Sequence, residues 1–140
     1  MLLGNRTYTL FENSWTPIAR DPKAPEAMHK IADEVTRMTK VVFSQSRTEV
    51  KWENSKLFHG NLLEEVEKLK QAEGSPILIF GSGTIVRQLT DASLIDEYFI
   101  AVAPIVLGRG KPLFGNVQKR NLHLLGARQF KSGNALLRYK

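Results

Sequence analysis

The sequence predicts an α/β fold with a parallel sheet at its centre and antiparallel strands at its C-terminal end. Three observations carry that prediction. Short apolar runs at Leu2-Leu3, Val41-Val42-Phe43 and Ile77-Leu78-Ile79-Phe80 are separated by stretches with helical spacing, the alternation expected of parallel strands joined by helices. Each run is followed at once by glycine or by hydroxyl-bearing residues, as at strand-to-helix turns. After Asp91 the helical spacing stops and strand-like segments follow one another, which leaves antiparallel pairing as the available geometry.

Taken in order, Met1-Leu2-Leu3 reads as the end of a strand, and Gly4-Asn5 opens a short helix through Thr7, Leu10, Phe11 and about Trp15. Pro17, Pro22 and Pro25 mark a loop. Met28, Ile31, Ala32, Val35 and Met38 then recur at helical spacing and define one buried face. Lys40-Val41-Val42-Phe43-Ser44 is a short buried strand, Val50 and Trp52 lie on an irregular segment, and Lys56 to His59 forms another short strand. Asn61 with Glu64 is a capping-box variant ahead of a helix carrying Leu62, Leu63, Val66, Leu69 and Ala72, ended by Gly74. Ile77 to Phe80 reads as a central strand covered on both faces, and Thr84 to Leu89 as a helix. Tyr98–Ala103, Leu122–Leu125 and Ala135–Tyr139 complete the C-terminal strands, with a Gly/Pro-rich loop reaching Phe114.

The composition bounds the function. A chain of 140 residues, 42% of them hydrophobic, is one domain able to bury roughly 68% of its unfolded surface. With no cysteine, disulfide frameworks, thiolate metal sites and thiol nucleophiles are excluded. No apolar run approaches a membrane span, and the expected location is cytoplasmic. Charge is uneven: residues 1–70 carry 11 Lys/Arg against 10 Asp/Glu, residues 71–140 carry 9 against 4, and Tyr98 to Lys140 holds eight basic residues and no acid. Those cations are dispersed, without the cluster, aromatic signature or recognition helix of a nucleic-acid binder, so no nucleic-acid partner is expected.

Three turns carry chemistry. At Gly81-Ser82-Gly83-Thr84 the glycines allow close backbone approach, and the free amides of a helix start favour phosphate; a simple tight turn would use the same residues. A Rossmann domain is disfavoured, because Val86 stands where a third glycine belongs and the next strand ends in Ala103-Pro104 instead of an acid. Leu3-Gly4-Asn5-Arg6-Thr7 repeats the logic with a cation and a hydroxyl, though an N-terminal cap with a solvated arginine would look alike. Ser44-Gln45-Ser46-Arg47 suits an isolated phosphate monoester such as the one distinguishing NADP from NAD, or a plain polar loop. Parallel strands would bring all three turns to one edge.

These segments, together with Pro104-Ile105-Val106-Leu107-Gly108-Arg109-Gly110-Lys111-Pro112-Leu113-Phe114, resemble the dihydrofolate reductase superfamily. Within it, the chain is most similar to the C-terminal reductase domain of the bifunctional riboflavin-biosynthesis deaminase-reductase and its stand-alone relatives. The resemblance covers essentially the whole chain. It implies a three-layer fold, a mixed sheet with helices on both faces, in one domain over residues 1–140. Family members carry about forty residues ahead of the counterpart of Met1, including the first central strand, which this sequence is expected to lack, and losing such a strand would leave its neighbours with unpaired edges. A shortened chain or a homodimer that closes the gap would account for this.

By the same resemblance, Gly4, Asn5, Arg6 and Thr7 would face the cofactor phosphates, and Ser44, Gln45, Ser46 and Arg47 would hold the adenosine phosphate of NADPH. Gly81, Ser82, Gly83, Thr84 and Ile85 would wrap the pyrophosphate and nicotinamide side. The implied activity is NADPH-dependent hydride transfer to a C=N or C=O group of a small heterocyclic or ribosylated substrate, which in the riboflavin branch is the phosphorylated 5-amino-6-(5-phosphoribosylamino)uracil. A non-catalytic NADP(H)-binding or interaction module, or a truncated inactive chain, is the alternative. No catalytic residue stands out. Arg109 and Lys111 suit an anionic substrate, a solvated hairpin or a dimer contact. His29, His59 and His123 lack the spacing of metal ligands, Asp96-Glu97 point to opposite faces of a strand start, and Trp15 and Trp52 are core or interface residues.

Overall fold

The computed structural model describes residues 1–140, which form two compact units, Met1–Ile85 and Val86–Lys140. In the first, β1 (Leu2–Gly4) leads into α1 (Asn5–Arg20) and α2 (Glu26–Arg37), then β2 (Lys40–Phe43), β3 (Ser55–Phe58) and α3 (Leu62–Gln71). The sheet runs β1-β2-β3 and is parallel throughout, with Leu3 opposite Val42 and Val42 opposite Leu57. Ile79 adds a single parallel bridge to Leu2 on the other side of β1, and Leu2 N–H donates to the Leu78 carbonyl at 2.8 Å.

The core explains why these segments assemble. Leu3, Tyr8, Val35, Val42 and Trp52 form one buried cluster, with Phe11, Trp15, Val50 and Leu57 packed against it. The connection from β2 to β3 contains no helix, although parallel strands normally need one to return. The Tyr8 hydroxyl holds that return in place by accepting from the amides of Lys51 at 3.1 Å and Trp52 at 2.9 Å while donating to Glu12. Burial pushes the Tyr8 pKa up.

Lys40 is fully buried at the start of β2. Its ammonium donates to the carbonyls of Val35, Thr36 and Met38 at 2.7–3.0 Å and lies over the Trp52 ring. A cation thus closes the carbonyl end of α2, where the helix dipole favours it.

Several expectations need correction. The first helix continues past Trp15 to Arg20, with Pro17 inside it. Pro17 lies in the last turns, where the lost hydrogen bond is outweighed by packing of the Tyr8–Phe11–Trp15 face on the core. Ile77–Phe80 is neither a full strand nor covered on both faces: only Ile79 bridges to β1, and Ile77, Leu78 and Phe80 are 37–40% exposed. On α2, Ala32 and Val35 are buried whereas Ile31 is exposed. Asn61 caps α3 as expected, accepting from Leu63 N–H at 2.9 Å, but Glu64 bonds the Asn61 side-chain amide.

In the second unit, reached through α4 (Gly83–Asp91), β4 (Tyr98–Val102), β5 (Leu124–Gln129) and β6 (Ala135–Tyr139) form an antiparallel sheet in the order β4-β6-β5. The anticipated strand at Leu122–Leu125 is displaced toward the C-terminus. β5 leads into the hairpin to β6, whose turn is closed by Phe130 and Asn134 with Gly133 at φ +83°. Arg138 on β6 makes a two-pronged pair with Glu97 at 2.8 Å, and Tyr98 packs edge-on against Phe114. No helix is long and apolar enough to cross a membrane.

Candidate functional site

Parallel strands deliver their carboxyl ends to one edge, so the turns after β1, β2 and residues 77–80 come together there. Gly81 sits at φ +68° in a turn closed by Ser82 N–H onto the Phe80 carbonyl at 2.7 Å, a conformation that glycine adopts without strain. That turn aims Ser82 inward. Its side chain is buried, and its Oγ accepts from Gly4 N–H at 2.9 Å, joining the first turn to the third. Ile85 is buried beside them, its Cδ1 3.7 Å from where a Cβ on Gly4 would stand.

Arg47 joins the first turn to the second. Its Nε donates to Asn5 Oδ1 at 2.7 Å, its Nη2 to Thr9 Oγ1 at 2.6 Å and its Nη1 to the Glu49 carbonyl at 3.3 Å. The guanidinium also stacks on Tyr8, 4.7 Å from the ring centroid. Arginine carries five N–H donors, so two of them remain for a ligand. The Ser44 hydroxyl accepts from the amides of Ser46 and Arg47 and shapes the turn. Gln45 donates to the His59 carbonyl, while His59 Nδ1 lies 2.6 Å from the Ser44 carbonyl. An open concavity of about 330 Å³ results, lined by Asn5, Ser46, Arg47, Thr48 and Glu49.

Of the remaining predicted positions, Arg6, Thr7, Gly83 and Thr84 belong to the helix starts at this edge. Gly4 precedes helix α1 without giving it a side-chain cap, and the first turn holds no acid, which leaves early amides and the exposed Arg6 available beside Thr7. Gly83 and Thr84 open α4 with Thr84 exposed, and nothing stands within 4 Å of where a Gly83 Cβ would be. Arg109 and Lys111 lie on an exposed loop of the second unit. Neither lines that unit's cavity of about 280 Å³, which is formed around Tyr98, Phe114, Lys119 and Arg120.

Sequence reasoning missed Tyr8, Thr9, Thr48 and Glu49. Thr9 had a local signal, since it follows Asn5 by one helical turn and shares its face. Thr48 and Glu49 merely continue the polar run already noticed.

A parallel sheet with two glycine turns and an arginine at its carboxyl edge, followed in the chain by an antiparallel sheet, defines an α/β protein with the fold of solved structures of the riboflavin-biosynthesis type. The model of the RibD C-terminal domain matches residues 1–136, and the chain belongs to that family. It is 34% identical over 135 residues to the uncharacterized protein YyaP of Bacillus subtilis (strain 168), covering 95% of this chain and 69% of that one. Similarity to the uncharacterized protein YwjB of the same organism is 42% identity over 64 residues, 45% of this chain and 37% of the relative. Among solved structures, a putative riboflavin biosynthesis protein from Shewanella sp. PV-4 superposes with a TM-score of 0.65 at 20% identity, covering 99% of this chain and 71% of that one. A pyrimidine reductase-like protein from Corynebacterium diphtheriae gives 0.57 at 15%, covering 99% and 74%.

Proposed function

We propose that this chain binds NADPH along the carboxyl edge of β1 and β2 and acts as a reductase on a C=N or C=O group of a heterocyclic or ribosylated, phosphorylated substrate. The observation that carries the reading is the double tie at that edge, Arg47 to Asn5 and Ser82 to Gly4, which gathers three phosphate-compatible turns into one surface. The residues present fit the cofactor. Arg47 keeps two N–H donors, and the hydroxyls of Ser46 and Thr48 are free beside it, a set that matches a monoester dianion. The uncapped start of α1 with Arg6, and the open backbone at Gly83, match a pyrophosphate. When bound, the cofactor supplies the hydride. The chain's own residues hold the phosphates and fix the turns that present them.

The test is titration with NADPH, followed by the fluorescence of the reduced nicotinamide, for the native chain and for Gly83→Val and Arg47→Ala. Saturable binding by the native chain, weakened at least about tenfold in each variant, is the expected result, a loss of about 1.4 kcal/mol. Absence of binding by the native chain would overturn the reading. NADPH consumption with 5-amino-6-(5-phosphoribosylamino)uracil then tests the reaction itself, and binding without turnover of this or related ribosylated heterocycles would leave a cofactor-binding module.

A further inference from the structure

One acidic residue, Glu49, lines the concavity beside Arg47. The five lining residues supply a guanidinium, a side-chain amide, two hydroxyls and the acid of Glu49. The bond from Arg47 Nη1 to the Glu49 carbonyl keeps residue 49 beside the guanidinium. The Glu49 carboxylate is 3.0 Å from the Lys51 ammonium, with 66% of the Glu49 side chain and 76% of the Lys51 side chain exposed. The acid is therefore partly neutralised but faces solvent at the mouth.

Two opposed recognition elements share this space. A guanidinium with hydroxyls favours a phosphate monoester, whereas a carboxylate repels that dianion and accepts hydrogen bonds from a free ribose diol. Resting on the NADPH reading above, we infer that Glu49 is a specificity-determining residue. It lowers the preference for the coenzyme bearing the ribose monoester over the one with a free diol, and Lys51 sets how far. The acid acts through charge at an exposed site, so its influence is screened by salt.

The experiment measures dissociation constants for NADPH and NADH by calorimetry, at low and high salt, for the native chain, Glu49→Gln and Lys51→Met, with circular dichroism as a folding control. Glu49→Gln is expected to raise the NADPH-to-NADH affinity ratio about five- to tenfold at low salt, and high salt to shrink that gain. Lys51→Met, which frees the acid, is expected to lower the ratio about threefold. A ratio unchanged in Glu49→Gln, or both coenzymes strengthened equally, would overturn the role of Glu49 while leaving the NADPH reading standing. Failure of the native chain to bind either coenzyme would overturn both.

Discussion

Arg47 and Asn5, separated by 42 positions, are joined by a 2.7 Å hydrogen bond from Nε to Oδ1. The bond ties the turn after β2 to the first residue of α1. It also fixes the guanidinium plane against Tyr8, so the two uncommitted donors have a defined direction. An arginine that shapes the surface and still has donors to offer differs from a member of the plain polar loop that the sequence pattern also allows.

Arg47→Lys should show this double role. Lysine is a point donor and cannot reproduce the fork, so the ties to Asn5 and Thr9 cannot both survive. Urea unfolding is expected to show a loss of about 1–2 kcal/mol. A double-mutant cycle with Asn5→Ala should return a coupling of about 1 kcal/mol; zero coupling would mean that the bond contributes nothing.

Tyr8→Phe removes one oxygen and strands two amides, those of Lys51 and Trp52. The expected destabilisation is about 2 kcal/mol, dominated by the buried Trp52 amide. Hydrogen exchange at Trp52 should accelerate in parallel. Unchanged exchange there would show that the β2–β3 return is held by its other contacts.

Lys40 predicts a pH dependence. Burial pushes its pKa down from 10.5 to about 8, with Glu53 opposing in part. Below about pH 8 the ammonium is charged in both folded and unfolded chains, so its burial cost is constant. Between about 8 and 10.5 the unfolded chain binds more protons than the folded one, and stability rises with pH over that window. Urea titrations from pH 7 to 10 should show this rise in the native chain and not in Lys40→Met. Parallel curves for the two would refute it.

Gly81→Ala and Gly83→Ala form a paired test. Nothing stands within 4 Å of a Cβ at either position, but only Gly81 has positive φ. Gly81→Ala should therefore cost about 1–2 kcal/mol through its backbone alone, lowering the melting temperature, while Gly83→Ala should leave it nearly unchanged. An equal effect at both sites would contradict the assigned turn.

Much of the architecture could be read from the residues, and the failures share a cause. β2, α2 and the Asn61-capped α3 follow from local periodicity and side-chain chemistry within a few positions. The length of α1 did not, because Pro17 is a local stop signal that distant packing overrides. β5 was misplaced because Gly126, Ala127 and Arg128 are weak strand formers held by pairing with β6. The three turns were visible as glycine and hydroxyl clusters. What joins them was not, since nothing near Ser82 in the chain indicates that its hydroxyl meets Gly4, and Thr9 becomes informative only once Arg47 reaches it.

The bond between Gly4 and Ser82 spans 78 positions, which bears on the order of events during biosynthesis. Because the chain emerges from its N-terminus, the first turn must wait on the ribosome for the third turn before the edge they share exists. A ligand recognising that edge would act only on the completed native state and raise its population by mass action.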